Sequence, residues 1–341
     1  MIAPLIAHAP SMLENLTTLA FRALLALVVA ALVIGALLRS RAAALVLDHP
    51  NQRSLHATPT PRIGGLGIIA GIAAGYAVAD TVFDVRLLVA IGLLIAISLL
   101  DDVHNLGASW RMLAHMASAG IAAAVLVYDA HGLWAALAVA FATAWMTNLY
   151  NFMDGSDGLA GGMAVFGFGS YGIAALLAGD AAFAGLNFSI AAAAVGFLIF
   201  NFPPARVFMG DAGSIPLGFL AAVCGIAGWQ RLDWPLWFGA AVFSPFIVDA
   251  SLTLCRRLLR GAKVWQAHRE HYYQRLVQAG WGHRKTLFAE FALMAIVCVT
   301  VVVGIQYDAT AQYAIITALV ALYVFLIAAL EHKLGPAIKN A

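Results

Sequence analysis

Long apolar runs leave this chain few ways to fold. About eleven of them, near residues 17–38, 64–79, 86–100, 113–128, 132–149, 160–178, 183–200, 214–230, 235–255, 287–305 and 311–330, fill most of its 341 residues. Hydrophobic residues make up 63% of the chain and charged residues 11%, whereas soluble domains carry about a quarter charged. A run of roughly 17 to 23 apolar residues crosses a hydrocarbon core as a helix. Within lipid only helices and closed barrels satisfy every backbone group, and uninterrupted runs exclude the barrel. The expected fold is an all-α, polytopic transmembrane helix bundle, with 1–341 forming one integral-membrane domain. No basic residue precedes the first run and no cleavage site follows it, so it reads as a retained helix.

Five polar segments separate alternate spans: 40–63, 101–112, 148–160, 201–213 and 256–286. With Arg39 at the edge of the first segment and the C-terminal tail, they hold sixteen of the nineteen Lys and Arg residues, and only Arg22, Arg86 and Arg231 fall at the other face. The positive-inside rule therefore predicts cytoplasmic polar loops and C-terminus, with the N-terminus outside. Delivery of Asp, Asn and His to one boundary is the pattern of an interfacial enzyme.

Between the clusters the sequence reads as packing. Gly67, Gly71 and Gly75 repeat every four residues and place small side chains on one helix face. Pro50, Pro59, Pro61, Pro203 and Pro204 stop helices where polar loops begin. Cys224, Cys255 and Cys298 lie in apolar runs without CxxC spacing, so no disulfide or zinc site is expected.

Adjacent Asp101 and Asp102 follow the run that ends at Leu100. Two neighbouring anions call for a cation, and an oxygen-rich pair suits Mg²⁺, with Mn²⁺ as a substitute; a hydrated helix end is the plainer alternative. Asn148, Asn151 and Asp154 are spaced by three, which puts them on neighbouring positions of one face if the fifth helix runs through them. Gly155 and Gly158 then permit a turn and close ligand approach. Asp211, between Gly210 and Gly213 at a predicted helix start, is either a cap or a carboxylate holding a phosphate-bridging metal. Phe208 beside it is placed to stack on a base.

His268 and His271, three apart, are expected on one helical turn, in a basic loop with Lys263, Arg269 and Arg275. Phosphate binding suits that loop better than zinc, which lacks a third soft ligand at metal-site spacing. In the first loop Arg53, His56 and Arg62 offer a hold for a lipid phosphate. Asp249 stands alone inside the ninth run, with Arg256 two turns on as its expected counter-charge.

Five pieces in order, Pro59-Thr-Pro-Arg-Ile-Gly-Gly65, Asp101-Asp102, Asn148 to Gly162, Phe208-Met-Gly-Asp211 and the late His loop, make the chain resemble the polyprenyl-phosphate N-acetylhexosamine-1-phosphate transferases. This is the MraY/WecA-like family, glycosyltransferase family 4. The spacing of His268 and His271 is similar to the WbpL-type branch that primes O-antigen synthesis. The resemblance implies transfer of a sugar-1-phosphate from a UDP-N-acetylhexosamine to undecaprenyl phosphate in a bacterial inner membrane. It implies Mg²⁺ on Asp211 and Asp102, and catalytic roles for Asp101, Asp102, Asp154, Asp211, His268 and His271. Substrate contacts would come from Asn148, Asn151, Gly155, Asp157, Phe208, Arg53, His56, Arg62, Lys263 and Arg269. Membrane lipids and a second copy of the chain are compatible partners, and nucleic acid is not expected.

A secondary transporter is the main rival reading. It needs charged groups near the midplane, whereas these gather at one boundary. CDP-alcohol phosphotransferases need Ala-Arg after Asp-Gly, but Gly161 follows Asp157-Gly158-Leu159-Ala160. An intramembrane aspartyl protease needs Gly-x-Gly-Asp, and Phe208 stands at the first Gly position.

Overall fold

A computed structural model describes residues 3–50, 55, 58–79, 84–104, 106–263, 266 and 268–334, with the side chains of 3–14, 42, 102 and 103 left out of the description. Its helices are α1 (Ala3–Arg39), α2 (Gly64–Ala77), α3 (Val85–His104), α4 (Ala108–Ala123), α5 (Asp129–Phe152), α6 (Leu159–Ala178), α7 (Ala181–Asn201), α8 (Asp211–Gln230), α9 (Trp237–Val242), α10 (Ser244–Leu259), α11 (Tyr272–Leu276), α12 (Gly282–Gly304) and α13 (Ala309–Leu334). Two short strands, β1 (Leu47–Asp48) and β2 (Thr60–Pro61), pair antiparallel in the first polar loop.

Every expected apolar run is helical over most of its length, although 64–79 outruns α2 by two residues and 235–255 is shared by two helices. Seven helical stretches among the described residues are long and apolar enough to cross a membrane: Asn15–Arg39, Ala108–Phe152, Leu159–Ala178, Ala181–Asn201, Asp211–Gln230, Tyr272–Gly304 and Ala309–Leu334. Ala108–Phe152 is really two segments. One π-helical turn at Ala124–Tyr128 ends α4, and Gly132, with φ 76°, breaks the helical path early in α5. The ninth run also divides, into α9 and α10, because Pro245 near the start of α10 has no N–H to continue the ladder of the preceding turn.

Local signals set the boundaries. Asp180 caps α7 by accepting the Phe183 N–H at 2.9 Å, directly after Gly179 ends α6 in the left-handed region. Gly158 and Gly210, with φ 76° and 72°, let the chain turn sharply into α6 and α8.

The bundle packs α1 against α2 and α7, α7 against α6, α5 against α8, and α3 against α4 and α8. Its core holds Tyr150, Phe168, Tyr171, Phe197, Phe243 and Phe246, all fully buried. The expected glycine stripe is a packing face: a Cβ on Gly67 or Gly71 would overlap Ile34 or the Ala26 carbonyl of α1, and one on Gly75 would press on Ser189 of α7.

The closest approach lies at the polar end. A Cβ on Gly65 would overlap the backbone of Gly213, so the starts of α2 and α8 touch main chain to main chain. Gly65→Ala should cost about 1–3 kcal/mol through forced separation of the two helices, read as a lower thermal midpoint in detergent. Gly92→Ala, which meets nothing within 4 Å, should leave the midpoint unchanged or raise it; equal effects would contradict this packing.

Candidate active site

The site is built on the start of α8. Gly210 precedes the helix and Asp211 is its first residue. Asp211 Oδ1 accepts from Asn151 Nδ2 at 2.9 Å, and the same amide donates to Ser214 Oγ at 2.9 Å. Asp211 Oδ2 accepts from Arg111 at 3.2 Å, and that guanidinium nitrogen donates to Asp101 Oδ2 at 2.9 Å. One cationic nitrogen thus sits between carboxylates from α3 and α8. Asp211 is spent on these partners, which decides against a plain helix cap.

Arg111 lies in the second polar segment, where sequence marks it only as one more basic residue of a loop. The signal was there: Arg111 and His115 lie four apart on α4 just after the acidic pair, two polar groups at one end of an apolar helix. His115 Nδ1 is 3.2 Å from Asn148 Oδ1, while Asn148 Nδ2 donates to the Ala144 carbonyl at 2.7 Å.

Asn148 and Asn151 are on α5 as expected, but the helix ends at Phe152 and Asp154 lies in the loop beyond it. The i+3 alignment therefore stops at Asn151, because the chain must turn before α6. Burial, and next the Asp211 charge, hold the Asp154 carboxyl well above the usual range, with Arg62 pulling the other way. Gly155 lies under the Tyr273 hydroxyl, where a Cβ would overlap it. Asp157 is turned inward: Oδ2 accepts the Ala205 N–H at 3.0 Å, and Oδ1 is 3.7 Å from His283 Nδ1. His283 also lies 3.0 Å from Ser156 Oγ through Nδ1 and 3.0 Å from the Leu55 carbonyl through Nε2, tying three segments together.

Backbone bonds bring the first loop to this place. The Phe208 N–H donates to the Pro61 carbonyl at 2.8 Å, Gly64 N–H to the Phe208 carbonyl at 2.9 Å, and Gly65 N–H to the Met209 carbonyl at 2.8 Å. Phe208 is therefore half-buried, on backbone bonded to Pro61–Gly65, three residues before Asp211. Arg62 pairs with Asp48. Arg53 and His56, and the side chain of Asp102, lie outside the described residues.

The His loop departs from expectation. His268 and His271 do not share a helical turn: 268–270 is irregular and α11 begins at Tyr272, with the His271 N–H accepted by Gln274 Oε1 at 3.2 Å. Their rings are nonetheless 4.9 Å apart. Burial, then the neighbouring His271 and Arg257 charges, push His268 down to about 4, so it is neutral at pH 7 and offers a hydrogen bond instead of a charge. Lys263 and Arg269 are exposed cations nearby. The loop reaches the Asn148–Gly158 segment through Tyr273, whose hydroxyl donates to the Phe152 carbonyl at 3.1 Å, and through stacking of His271 on Phe152 at 6.4 Å. No described contact joins either histidine directly to Asp211. Arg256 is not the partner of Asp249: it binds Glu331 at 2.6 Å and the Tyr272 hydroxyl at 2.6 Å.

Among the described residues no three His, Cys, Asp or Glu side chains gather as a ready ligand set. What is present is oxygen-rich and already centred on a cation, the Arg111 nitrogen between Asp101 and Asp211. Mg²⁺ is held by one or two carboxylates, with water and substrate phosphates completing its shell. Those oxygens fit it.

Apolar helices whose acidic and amide side chains converge at one end define a polytopic helical membrane protein with a polar site at its helix ends. Residues 85–228 match the family described as Glycosyl transferase family 4. It is 28% identical over 282 residues to the probable undecaprenyl-phosphate N-acetylglucosaminyl 1-phosphate transferase of Bacillus subtilis, covering 75% of this chain and 76% of that one. It is 28% identical over 337 residues to the decaprenyl-phosphate N-acetylglucosaminephosphotransferase of Mycolicibacterium smegmatis, covering 84% and 82%. It is 28% identical over 285 residues to the undecaprenyl-phosphate alpha-N-acetylglucosaminyl 1-phosphate transferase of Yersinia pestis, covering 76% and 77%.

An unfolded aspartate titrates near ~3.9. Because the folded value of Asp154 is raised, its favourable contribution is complete below that pH and is lost as pH rises toward the folded value. In metal-free protein, Asp154→Asn should raise the thermal midpoint at pH 8, with the gain closing near pH 4. A gain independent of pH would show that charge is not its cause.

Proposed function

We propose that this chain transfers an N-acetylhexosamine-1-phosphate from a UDP-sugar to undecaprenyl phosphate, giving undecaprenyl-diphosphate-sugar and UMP. The observation that carries the reading is the Asp101–Arg111–Asp211 bridge at the helix ends of an apolar bundle, within the residues that match family 4. A water-soluble anionic donor and a lipid-anchored phosphate can meet only at such a boundary. In the reaction an acceptor phosphate oxygen attacks the donor phosphorus that bears the sugar. The bridging P–O bond breaks, and its electron pair leaves with UMP.

Two phosphates repel, so the work is neutralisation and alignment. Arg111 holds a fixed positive charge between the acidic groups. Asp101 orients the acceptor or takes its proton. Asp211 and Asp102 would hold Mg²⁺, which when bound supplies charge that offsets the anionic phosphates. Asn151 fixes the Asp211 carboxylate, Asn148 holds His115 beside the substrate, Asp154 and Gly155 face the uridine, and Phe208 stacks on its base. Asp157 acts through the Ala205 loop it holds. His268, His271, Lys263 and Arg269 receive phosphate, with His268 as a neutral partner, while Arg53, His56 and Arg62 hold the lipid phosphate.

The excess of Lys and Arg in these loops supports a site on the cytoplasmic side of a bacterial inner membrane, with the N-terminus outside and the C-terminus inside. The spacing of the late histidines supports a role in starting a cell-surface polysaccharide of O-antigen type. Purified protein given undecaprenyl phosphate, Mg²⁺ and a panel of UDP-sugars should yield one lipid product, identified by mass, with matching UMP. Chelator should abolish it, and Asp211→Ala should lower kcat by about 10³, equivalent to roughly 4 kcal/mol, without unfolding the protein. An inert panel, or full activity in Asp211→Ala, would overturn the proposal.

A further inference from the structure

We propose that Asp249 is a positioning residue that sets the start of α11 and the imidazole of His271. The inference rests on the reading above, in which His271 faces transferred phosphate.

Asp249 is buried in α10. A carboxylate there needs full compensation, and most of it comes from across the loop. Oδ1 accepts the Tyr272 N–H at 2.8 Å and Oδ2 the Tyr273 N–H at 3.1 Å, with the Thr253 hydroxyl donating at 3.2 Å from one turn along α10. Those two N–H groups open α11 and have no partner within that helix. α11 runs for five residues before a π-helical turn, Val277–Trp281, so its first turn gains from an external acceptor. Asp249 therefore anchors the first turn of α11, alongside the capping pair of His271 and Gln274.

The same oxygen reaches the ring. Asp249 Oδ1 lies 3.4 Å from His271 Nδ1. The imidazole is buried, 5.9 Å from Tyr273 at 12° and 6.4 Å from Phe152 at 24°, so its plane is fixed by aromatic neighbours on both the loop and α5. Nδ1 also faces the Gln274 N–H across the helix start. If Nδ1 accepted that bond, a bare lone pair would be held against a carboxylate. The anion favours the Nδ1–H form, leaving the Nε2 lone pair as the ring's free polar function, in the manner of an acid that orients a catalytic imidazole. The other charged and titratable groups around the ring are His268 beside it and Glu270, which pairs with Arg257 and Arg260.

The full-length protein in lipid nanodiscs, labelled with ¹⁵N-histidine, tests this directly. His271, assigned by the loss of its signals in His271→Gln, should show a protonated Nδ1 and a bare Nε2, and Asp249→Asn should shift that pattern. In the transfer assay Asp249→Asn should lower kcat about 10- to 100-fold with KM for the UDP-sugar nearly constant. It should also displace the pH profile, while Asp249→Glu restores part of kcat. An unchanged His271 spectrum in Asp249→Asn, or kcat within twofold of the wild type, overturns the proposal, as does loss of kcat that only follows loss of thermal stability. Should the spectrum respond while the wild type makes no lipid product, the Asp249–His271 coupling stands and the transferase reading falls.

Discussion

Carboxylates gathered at the mouth of an apolar bundle repel one another through a medium that screens poorly, and the polar end of this molecule is arranged around that repulsion. Asp101 and Asp211 share a guanidinium nitrogen of Arg111. Asp48 has Arg62. At Asp154, burial and then the nearby Asp211 charge hold the carboxyl well above the usual range. Each of these arrangements lowers the cost of crowding acidic groups at one end of the bundle.

Holding that cluster takes main-chain contact more than side-chain bulk. The starts of α2 and α8 meet glycine on glycine, and Phe208–Met209 is bonded along Pro61–Gly65. Asn201 completes the frame: it accepts from the Gly158 N–H at 2.8 Å and donates to the Val207 carbonyl at 2.8 Å. The loops that carry Asp157 and Asp211 are thus braced by one buried amide.

The spans and the polar clusters were legible because hydropathy and helix breakers act over neighbouring residues. Asp101, Asn151 and Asp211 do converge, and the glycine stripe does pack. What escaped the sequence depended on partners far along the chain. Arg111 reaches Asp211 across a hundred positions. Asp249 is met by backbone N–H groups of α11, which no residue type announces, and so the nearer Arg256 looked like its partner. The spacing of His268 and His271 suggested a helical turn, yet the chain has first to bring Tyr272 and Tyr273 down onto that carboxylate. Asp157 had the composition of a ligand contact, and its oxygens are committed to the Ala205 amide and the neighbourhood of His283.

The hydrogen-bonded seam between Pro61–Gly65 and Phe208–Met209 has a consequence for adaptation. Since the aromatic side chain at 208 hangs from a backbone pinned on either flank, it cannot drift without the first loop drifting too. Selective pressure to move the ring at 208 would accordingly register at positions 61–65 as well, and fitness landscapes for the two segments should be strongly epistatic.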